Sequence, residues 1–169
     1  SLAPSAGQFP TISIMFDMNK LFEKFILHCI KIASLGRNYT ANGQVRKKFF
    51  EAKTIRPDIF IQHASGNFVI DTKWKAPQET GISDADLKQM YVYNNYFDCA
   101  HSILLYPQTG DMAIKTGSFH KKIQSADGDQ AQYCTSIFVS LFDESGALKP
   151  NIQIGSEILE TIINLDEYI

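Results

Sequence analysis

The sequence lacks the long apolar runs that membrane-spanning segments need. A transmembrane helix takes about 20 consecutive apolar residues, and charged side chains interrupt every apolar segment of this chain. The first ten residues, SLAPSAGQFP, also lack the basic stretch followed by an apolar stretch that is typical of a secretory signal. We therefore expect a protein with no membrane association and no export signal.

Cysteine and histidine are scarce and scattered. The chain has 3 cysteines and 4 histidines, none of them in the close pairs typical of zinc or iron–sulfur sites. An odd number of dispersed cysteines is typical of a reducing compartment, so we expect a cytoplasmic protein. A metal site built from histidine and cysteine is not expected. The cysteines are Cys29, Cys99 and Cys134.

Positive charge is not in excess either. The 16 Lys and Arg residues and 18 Asp and Glu residues give a formal net charge of −2 at pH 7. This balance argues against a broadly cationic nucleic-acid-binding protein. It does not exclude a nuclease, because site carboxylates subtract from a local basic surface. Short basic groups occur at residues 46–48 (RKK) and 121–122 (KK), and each is equally typical of solvated strand ends.

Three segments have the features of helices. Residues 17–34 begin with Asp17 as a candidate N-cap, carry apolar residues at helical spacing and end before Gly36. Residues 83–97 begin with Ser83 and Asp86 in capping-box spacing. Residues 151–164 are amphipathic. The apolar positions noted in the first helix are Leu21, Phe25, Cys29 and Ile32.

Strands are expected between and after these helices, and residues 37–43 (RNYTANG) are expected to form a loop. A mixed central β-sheet flanked by helices, an α/β fold, follows from this order. We assign residues 16–169 to one domain and residues 1–15 to a lead or linker. The predicted strands are residues 44–52, two strands of a hairpin over 58–74, and residues 101–107, 112–119 and 134–142.

The predicted hairpin, within RPDIFIQHASGNFVIDTKWK (residues 56–75), brings polar residues together. Side chains alternate faces along a strand, so Asp71 and Lys73 share one face. If the turn contains an even number of residues, Asp58 lies opposite Asp71 or Lys73. Directly opposed residues have Cβ atoms about 4.5–5.5 Å apart. The two acids and the lysine are therefore expected to converge.

Two carboxylates at this distance repel each other. Either one of them takes up a proton or a cation lies between them. Hard divalent ions such as Mg²⁺ and Mn²⁺ favour clusters of oxygen ligands. The alternative is an Asp–Lys ion pair at the end of the sheet with the second Asp in solvent. The hairpin alone does not separate these two interpretations.

Three residues outside the hairpin are candidates for the same site. Glu23, in LFEKF, is an acid flanked by apolar neighbours on the first helix, although an isolated glutamate of this kind is usually a surface residue. Gln89 and Tyr93 are spaced i, i+4 and share one helix face. That face would present an amide and a phenol to a phosphate or to a nearby lysine. Considered alone, a glutamine such as Gln89 usually lies at the surface, and a tyrosine such as Tyr93 usually lies in the core.

These motifs resemble a known nuclease signature. Pro57-Asp58 followed by Asp71-Thr72-Lys73 resembles the PD-(D/E)xK motif, and KQMYVY resembles the QxxxY motif of its RecB-like branch. The combination of blocks from Phe16 to Pro107 resembles the nuclease domain of McrC-type subunits of McrBC modified-cytosine restriction systems. The blocks are FDMNKLFEKFI, RPDIFI, VIDTKWK, DLKQMYVYNNYF and SILLYP.

The resemblance implies a PD-(D/E)xK restriction-endonuclease-like core and a DNA endonuclease that depends on Mg²⁺ or Mn²⁺. Lys73 would hold or deprotonate the attacking water and offset transition-state charge. Gln89 and Tyr93 would steady the lysine and the DNA backbone. The implied metal ligands are Asp58, Asp71, Glu23 and the backbone carbonyl of Thr72.

The resemblance also implies a partner. Such subunits work with an AAA+ GTPase of the McrB type, which docks on a region upstream of the nuclease domain. The residues before Phe16 are too few to hold that region, so we expect it upstream of this chain.

Two alternatives to this reading stay open. One is another PD-(D/E)xK nuclease of repair or defence, RecB-like or CRISPR-associated. The CRISPR-associated type calls for clustered iron–sulfur cysteines, which the sequence does not supply. The other is a non-catalytic scaffold with the same fold. An intact set of Asp58, Asp71 and Lys73 argues against a scaffold, since an idle acid cluster costs stability.

Overall fold

The computed structural model describes residues 16–75, 81–120 and 131–165. The predicted lead segment 1–15 and the basic pair 121–122 lie outside the described residues. The helices are α1 (Met18–Ser34), α2 (Asp84–Phe97) and α3 (Asn151–Ile163). The strands are β1 (Tyr39–Gly43), β2 (Lys47–Phe50), β3 (Lys53–Ile55), β4 (Ile59–His63), β5 (Gly66–Thr72), β6 (Cys99–Pro107), β7 (Lys115–Ser118) and β8 (Tyr133–Val139).

Six strands form a central sheet in the order β1-β4-β5-β6-β8-β7. β1, β4 and β5 are antiparallel neighbours, β5, β6 and β8 are parallel, and β7 is antiparallel to β8. α2 forms the crossover between the parallel strands β5 and β6. β2 and β3 pair separately as a small antiparallel hairpin. The predicted mixed sheet flanked by helices is confirmed.

The sheet separates two apolar layers. α1 and α3 cover one face, where they pack on strand residues such as Ile70, and α2 covers the other face, where it packs on residues such as Val69. Because successive strand residues point to opposite faces, this alternation places Asp71 on the same side as Val69. The polar end of β5 therefore faces α2.

The predicted helix starts are confirmed. Asp17 caps α1 by accepting a hydrogen bond from the Lys20 backbone N–H at 3.3 Å, and Ser83 caps α2 by accepting one from the Asp86 N–H at 3.2 Å. The predicted apolar stripe of α1 is partly wrong, because Leu21 is 47% exposed. The buried stripe of α1 consists of Phe22, Ile26, Cys29, Ile30 and Ala33.

Over the described residues, no helix is both long enough and apolar enough to span a bilayer.

The prediction of a loop over residues 37–43 is wrong for most of that segment. Tyr39–Gly43 forms β1, which pairs with the outer edge of β4 from Tyr39↔His63 to Gly43↔Ile59. Its Asn and Gly residues have low strand propensity. The strand forms because β4 offers unpaired backbone groups, which is a tertiary effect that local propensity does not carry.

Candidate active site

The β4–β5 hairpin sets the positions of the two aspartates. Its turn has two residues, 64–65, and the ladder runs from His63↔Gly66 to Ile59↔Ile70. One step beyond the ladder, the same register aligns Asp58 with Asp71. The condition of an even-numbered turn is met, and of the two residues predicted opposite Asp58, the structure aligns Asp71 with it.

Thr72 holds the Asp58 carboxylate. Its backbone N–H and its hydroxyl both donate to Asp58 Oδ2, each at 2.8 Å. No donor among the described residues bonds Oδ1 of Asp58, so this oxygen is available to a ligand. The carboxylate is thereby fixed in orientation beside the end of β5, and its Oδ1 accepts no hydrogen bond from the described residues.

Asp71 is the more deeply buried acid, with 5% of its surface exposed. Its Oδ1 accepts a hydrogen bond from Gln89 Nε2 at 3.1 Å, and its Oδ2 lies 2.7 Å from Lys73 Nζ. Burial raises the pKa of Asp71 to about 6, and the negative charge of Asp58 adds to this effect, while Lys73 opposes it. The site therefore favours added positive charge.

Lys73 lies between two carboxylates. Its Nζ is 2.7 Å from Asp71 Oδ2 and 2.9 Å from Asp86 Oδ1. Burial by itself would lower the pKa of Lys73, but the attraction of Asp71 and the hydrogen bonds to both acids raise it above the ordinary value. Lys73 is therefore a fixed cation at neutral pH.

Asp86 is a site residue that the sequence reasoning missed. It lies in the first turn of α2, where Ser83 Oγ donates to its Oδ2 at 2.8 Å and Lys75 Nζ lies 3.4 Å away. Burial opposes its charge, yet hydrogen bonds from Lys73 and Ser83 lower the pKa of Asp86 below its usual value. Its capping-box spacing signals a helix start, and nothing in that spacing signals a contact with Lys73.

Gln89 and Tyr93 share one face of α2, as predicted, but their contacts differ from the expected ones. Gln89 Nε2 donates to Asp71 and also to the Tyr93 hydroxyl at 2.8 Å. The Tyr93 hydroxyl in turn donates to the Arg56 carbonyl at 3.0 Å. Burial raises the pKa of Tyr93 to about 12, so the phenol keeps its proton. Gln89 thus holds Asp71 directly, Tyr93 contacts Gln89, and both reach Lys73 through Asp71.

The structure links Glu23 to Asp58 indirectly, through Gln44. Its Oε1 accepts a hydrogen bond from Gln44 Nε2 at 2.6 Å. The Gln44 backbone N–H donates to the Asp58 carbonyl at 3.0 Å. Glu23 is therefore linked to Asp58 through Gln44, and among the described residues its side chain bonds to this amide and not to Asp71.

The donor set is compatible with a small divalent ion. Within the described ranges, no three His, Cys, Asp or Glu side chains form a ready-made cage. Mg²⁺, however, is commonly bound by one or two carboxylates and completes its shell with water and substrate phosphate. A cation beside Asp58 and Asp71 would relieve the repulsion that helps to raise the pKa of Asp71. The residues present therefore fit such an ion.

Comparison with known proteins identifies one family. The family described as "McrBC 5-methylcytosine restriction system component" matches residues 1–107. No curated protein matches the chain. A similar solved structure is described as a refined half-complex from a tetradecameric assembly of Thermococcus gammatolerans McrB AAA+ hexamers with bound McrC. The TM-score is 0.64 at 18% identity, and the match covers 88% of this chain and 34% of that chain. The chain thus spans about a third of the length of the structure it matches.

Proposed function

This chain belongs to the family of McrBC 5-methylcytosine restriction system components, and from that membership we propose that it is the nuclease domain of an McrC-type subunit that hydrolyses DNA phosphodiester bonds. The observation that carries the proposal is the meeting of Asp58, Asp71 and Lys73 at the end of β5. In this proposal the sheet and its helices are a PD-(D/E)xK nuclease core.

Asp58, Asp71 and the Thr72 carbonyl would hold a Mg²⁺ or Mn²⁺ ion, with Glu23 as a further ligand through water. When bound, that ion would supply the Lewis acidity that polarises a phosphate and acidifies a water molecule. The chain's own residues orient the carboxylate oxygens that would bind the ion. Thr72 fixes Asp58 through two hydrogen bonds, and Gln89 fixes Asp71 through one.

Lys73 would place positive charge where negative charge develops during hydrolysis. Preorganised charge in a partly buried site is among the largest contributions to catalysis. Held between Asp71 and Asp86, the Lys73 ammonium would donate hydrogen bonds to water and phosphate. Of the two roles expected for it, holding the attacking water is the better supported.

We further propose an AAA+ GTPase of the McrB type as partner. The solved complex of similar fold pairs McrC with McrB AAA+ hexamers. The partner would load the nuclease on DNA through a region outside the described residues.

Two measurements test the proposed nuclease. Mn²⁺ or Mg²⁺ should raise the melting temperature of the wild type, and Asp71→Asn should abolish that rise. Lys73→Ala should abolish plasmid cleavage but retain metal binding in calorimetric titration, because the lysine would act on water and phosphate. A melting temperature insensitive to both ions, or full cleavage by Lys73→Ala, would contradict the proposal.

A further inference from the structure

A cleft of about 650 Å³ lies between the β2–β3 hairpin and one face of α2. We call it the hairpin cleft. It is lined on the hairpin side by residues including Arg46, Phe49 and Arg56, and on the α2 side by residues including Lys88, Gln89 and Tyr93. Its volume is in the range of small-ligand sites, about 300–1,000 Å³. It therefore suits a nucleotide-sized segment of a chain better than a whole duplex.

The walls of the hairpin cleft are held together by specific contacts. Lys47 Nζ donates to the Tyr96 carbonyl and lies 4.9 Å from the centre of the Phe97 ring. The Phe49 ring packs edge-on against the Tyr96 ring, with 5.6 Å between their centroids. The hairpin is thereby fixed to the carboxyl-terminal half of α2, and the cleft between them is preformed.

The hairpin cleft is cationic although the whole chain is not. Arg46, Arg56 and Lys88 all line it with exposed side chains, and no acidic residue is among its described lining residues. No carboxylate within the described residues forms an ion pair with any of the three. Since the net charge is −2, three uncompensated cations in one concavity favour an anionic ligand.

The hairpin cleft borders the pair of aspartates through Gln89 and Tyr93. Gln89 lines the cleft, and its amide also donates to Asp71 at 3.1 Å. Tyr93 lines the cleft, and its hydroxyl donates to the carbonyl of Arg56, two residues before Asp58. A polyanion in the cleft would therefore lie next to the residue that holds Asp71 at the end of β5.

An aromatic face adds a second kind of contact. Phe49 lines the cleft and is 47% exposed, so part of its ring is accessible to a ligand. Aromatic side chains interleaved with cations are the recurrent design of single-strand binding surfaces, because bases stack on rings while cations contact phosphates.

We infer that the hairpin cleft binds a single strand of DNA next to the bond to be cut, with Arg46, Arg56 and Lys88 on its phosphates and Phe49 against a base. This inference rests on the proposed nuclease function and names the surface that would hold its substrate. Three phosphate contacts would contribute about −0.7 each to the slope of log affinity against log salt for a single strand.

The test is fluorescence-anisotropy binding of a labelled single strand in EDTA, so that no cleavage occurs, over a range of low salt concentrations. The Arg46→Ala/Arg56→Ala/Lys88→Ala variant should bind more weakly, with a slope reduced by about 2. The Phe49→Ala variant should lose about fivefold or more in affinity with an unchanged slope. The matched control is Lys24→Ala/Lys31→Ala/Arg37→Ala, which removes the same charge around α1, on the opposite face of the sheet.

The outcomes separate this inference from the proposed function. Equal losses in the two triple variants would show an effect of bulk charge and would overturn it. Wild-type affinity in the cleft variants would also overturn the inference. The same holds if the wild type binds no single strand at low salt. Failure of metal-dependent cleavage with this binding pattern intact would count against the nuclease proposal and leave the binding surface in place.

Discussion

At the residue scale, Asp71 is held in surroundings that disfavour its charge. Burial and the nearby Asp58 raise the pKa of Asp71 to about 6, against an ordinary value of about 3.9. A carboxyl with a raised folded-state pKa keeps its proton in the folded chain after the unfolded chain has lost it. Without metal, its contribution to stability therefore falls as pH rises from about 4 to about 6.

We expect Asp71→Asn to stabilise the metal-free protein at neutral pH. The amide resembles the neutral carboxyl and keeps a polar group for Gln89, so the gain should be on the order of 1–3 kcal/mol above pH 6 and smaller near pH 4. Urea unfolding in EDTA over this pH range measures it. Glu144→Gln, on an exposed turn, is the control and should change little. A loss of stability by Asp71→Asn at pH 7 would contradict the prediction.

Asp86 has the geometry of a positioning residue for Lys73. Its Oδ1 lies 2.9 Å from Lys73 Nζ, and its other oxygen is held by Ser83. We expect Asp86→Asn to lower kcat of DNA cleavage by about 10- to 100-fold with little change in KM, because a misplaced catalytic group costs this order of rate. Metal binding measured by calorimetry should be retained.

The control for Asp86 is its neighbour Asp84, which is exposed in the same first turn of α2. Asp84→Asn removes the same charge from the same helix end, but the Asp84 side chain contacts no lysine of the site. If both variants lowered kcat equally, the effect would be one of helix-end charge, and the role assigned to Asp86 would be wrong.

At the element scale, the close crossing of α1 and α3 depends on Gly155. A Cβ atom there would lie 2.1 Å from the Cys29 carbonyl oxygen and 2.8 Å from the Ala33 Cβ. A glycine in a helix interior costs about 1 kcal/mol relative to alanine. The helix tolerates that cost because the missing side chain lets the two backbones approach.

We expect Gly155→Ala to destabilise the fold by about 1–3 kcal/mol, since overpacking outweighs the better helix propensity. Urea unfolding with metal absent measures the change. Gly117→Ala in β7 is the control, because a Cβ atom there meets nothing within 4 Å. A Gly155→Ala variant as stable as the wild type would mean that α3 shifts without cost.

At the scale of the whole molecule, charge limits what the chain does alone. A net charge of −2 gives little long-range attraction for DNA, and phosphate contacts normally dominate affinity. We expect the isolated chain to be a feeble nuclease that cuts modified and unmodified DNA at similar rates.

Cleavage of both DNAs at low salt, with and without a McrB-type partner, measures this. Selectivity should appear only when the partner is present. Strong preference for modified DNA by the isolated chain would show that recognition lies within these 169 residues.

The sequence by itself determined the features that depend on neighbouring residues. Strand alternation predicted that an even-numbered turn would place Asp58 opposite Asp71 or Lys73, because both effects act within one hairpin. The caps at Asp17 and Ser83 followed from residues within one helical turn. The order of helices and strands then predicted the layered fold. These interactions are short in sequence, so a local pattern carries them.

Only the tertiary structure decided which distant groups meet. β1 exists because it borders β4, Lys73 reaches Asp86 because α2 crosses back over the end of β5, and Glu23 pairs with Gln44. No periodicity reports the distance between two elements. The packing of α2 on one face of the sheet and of α1 and α3 on the other sets those distances, and with them the charge that surrounds Lys73.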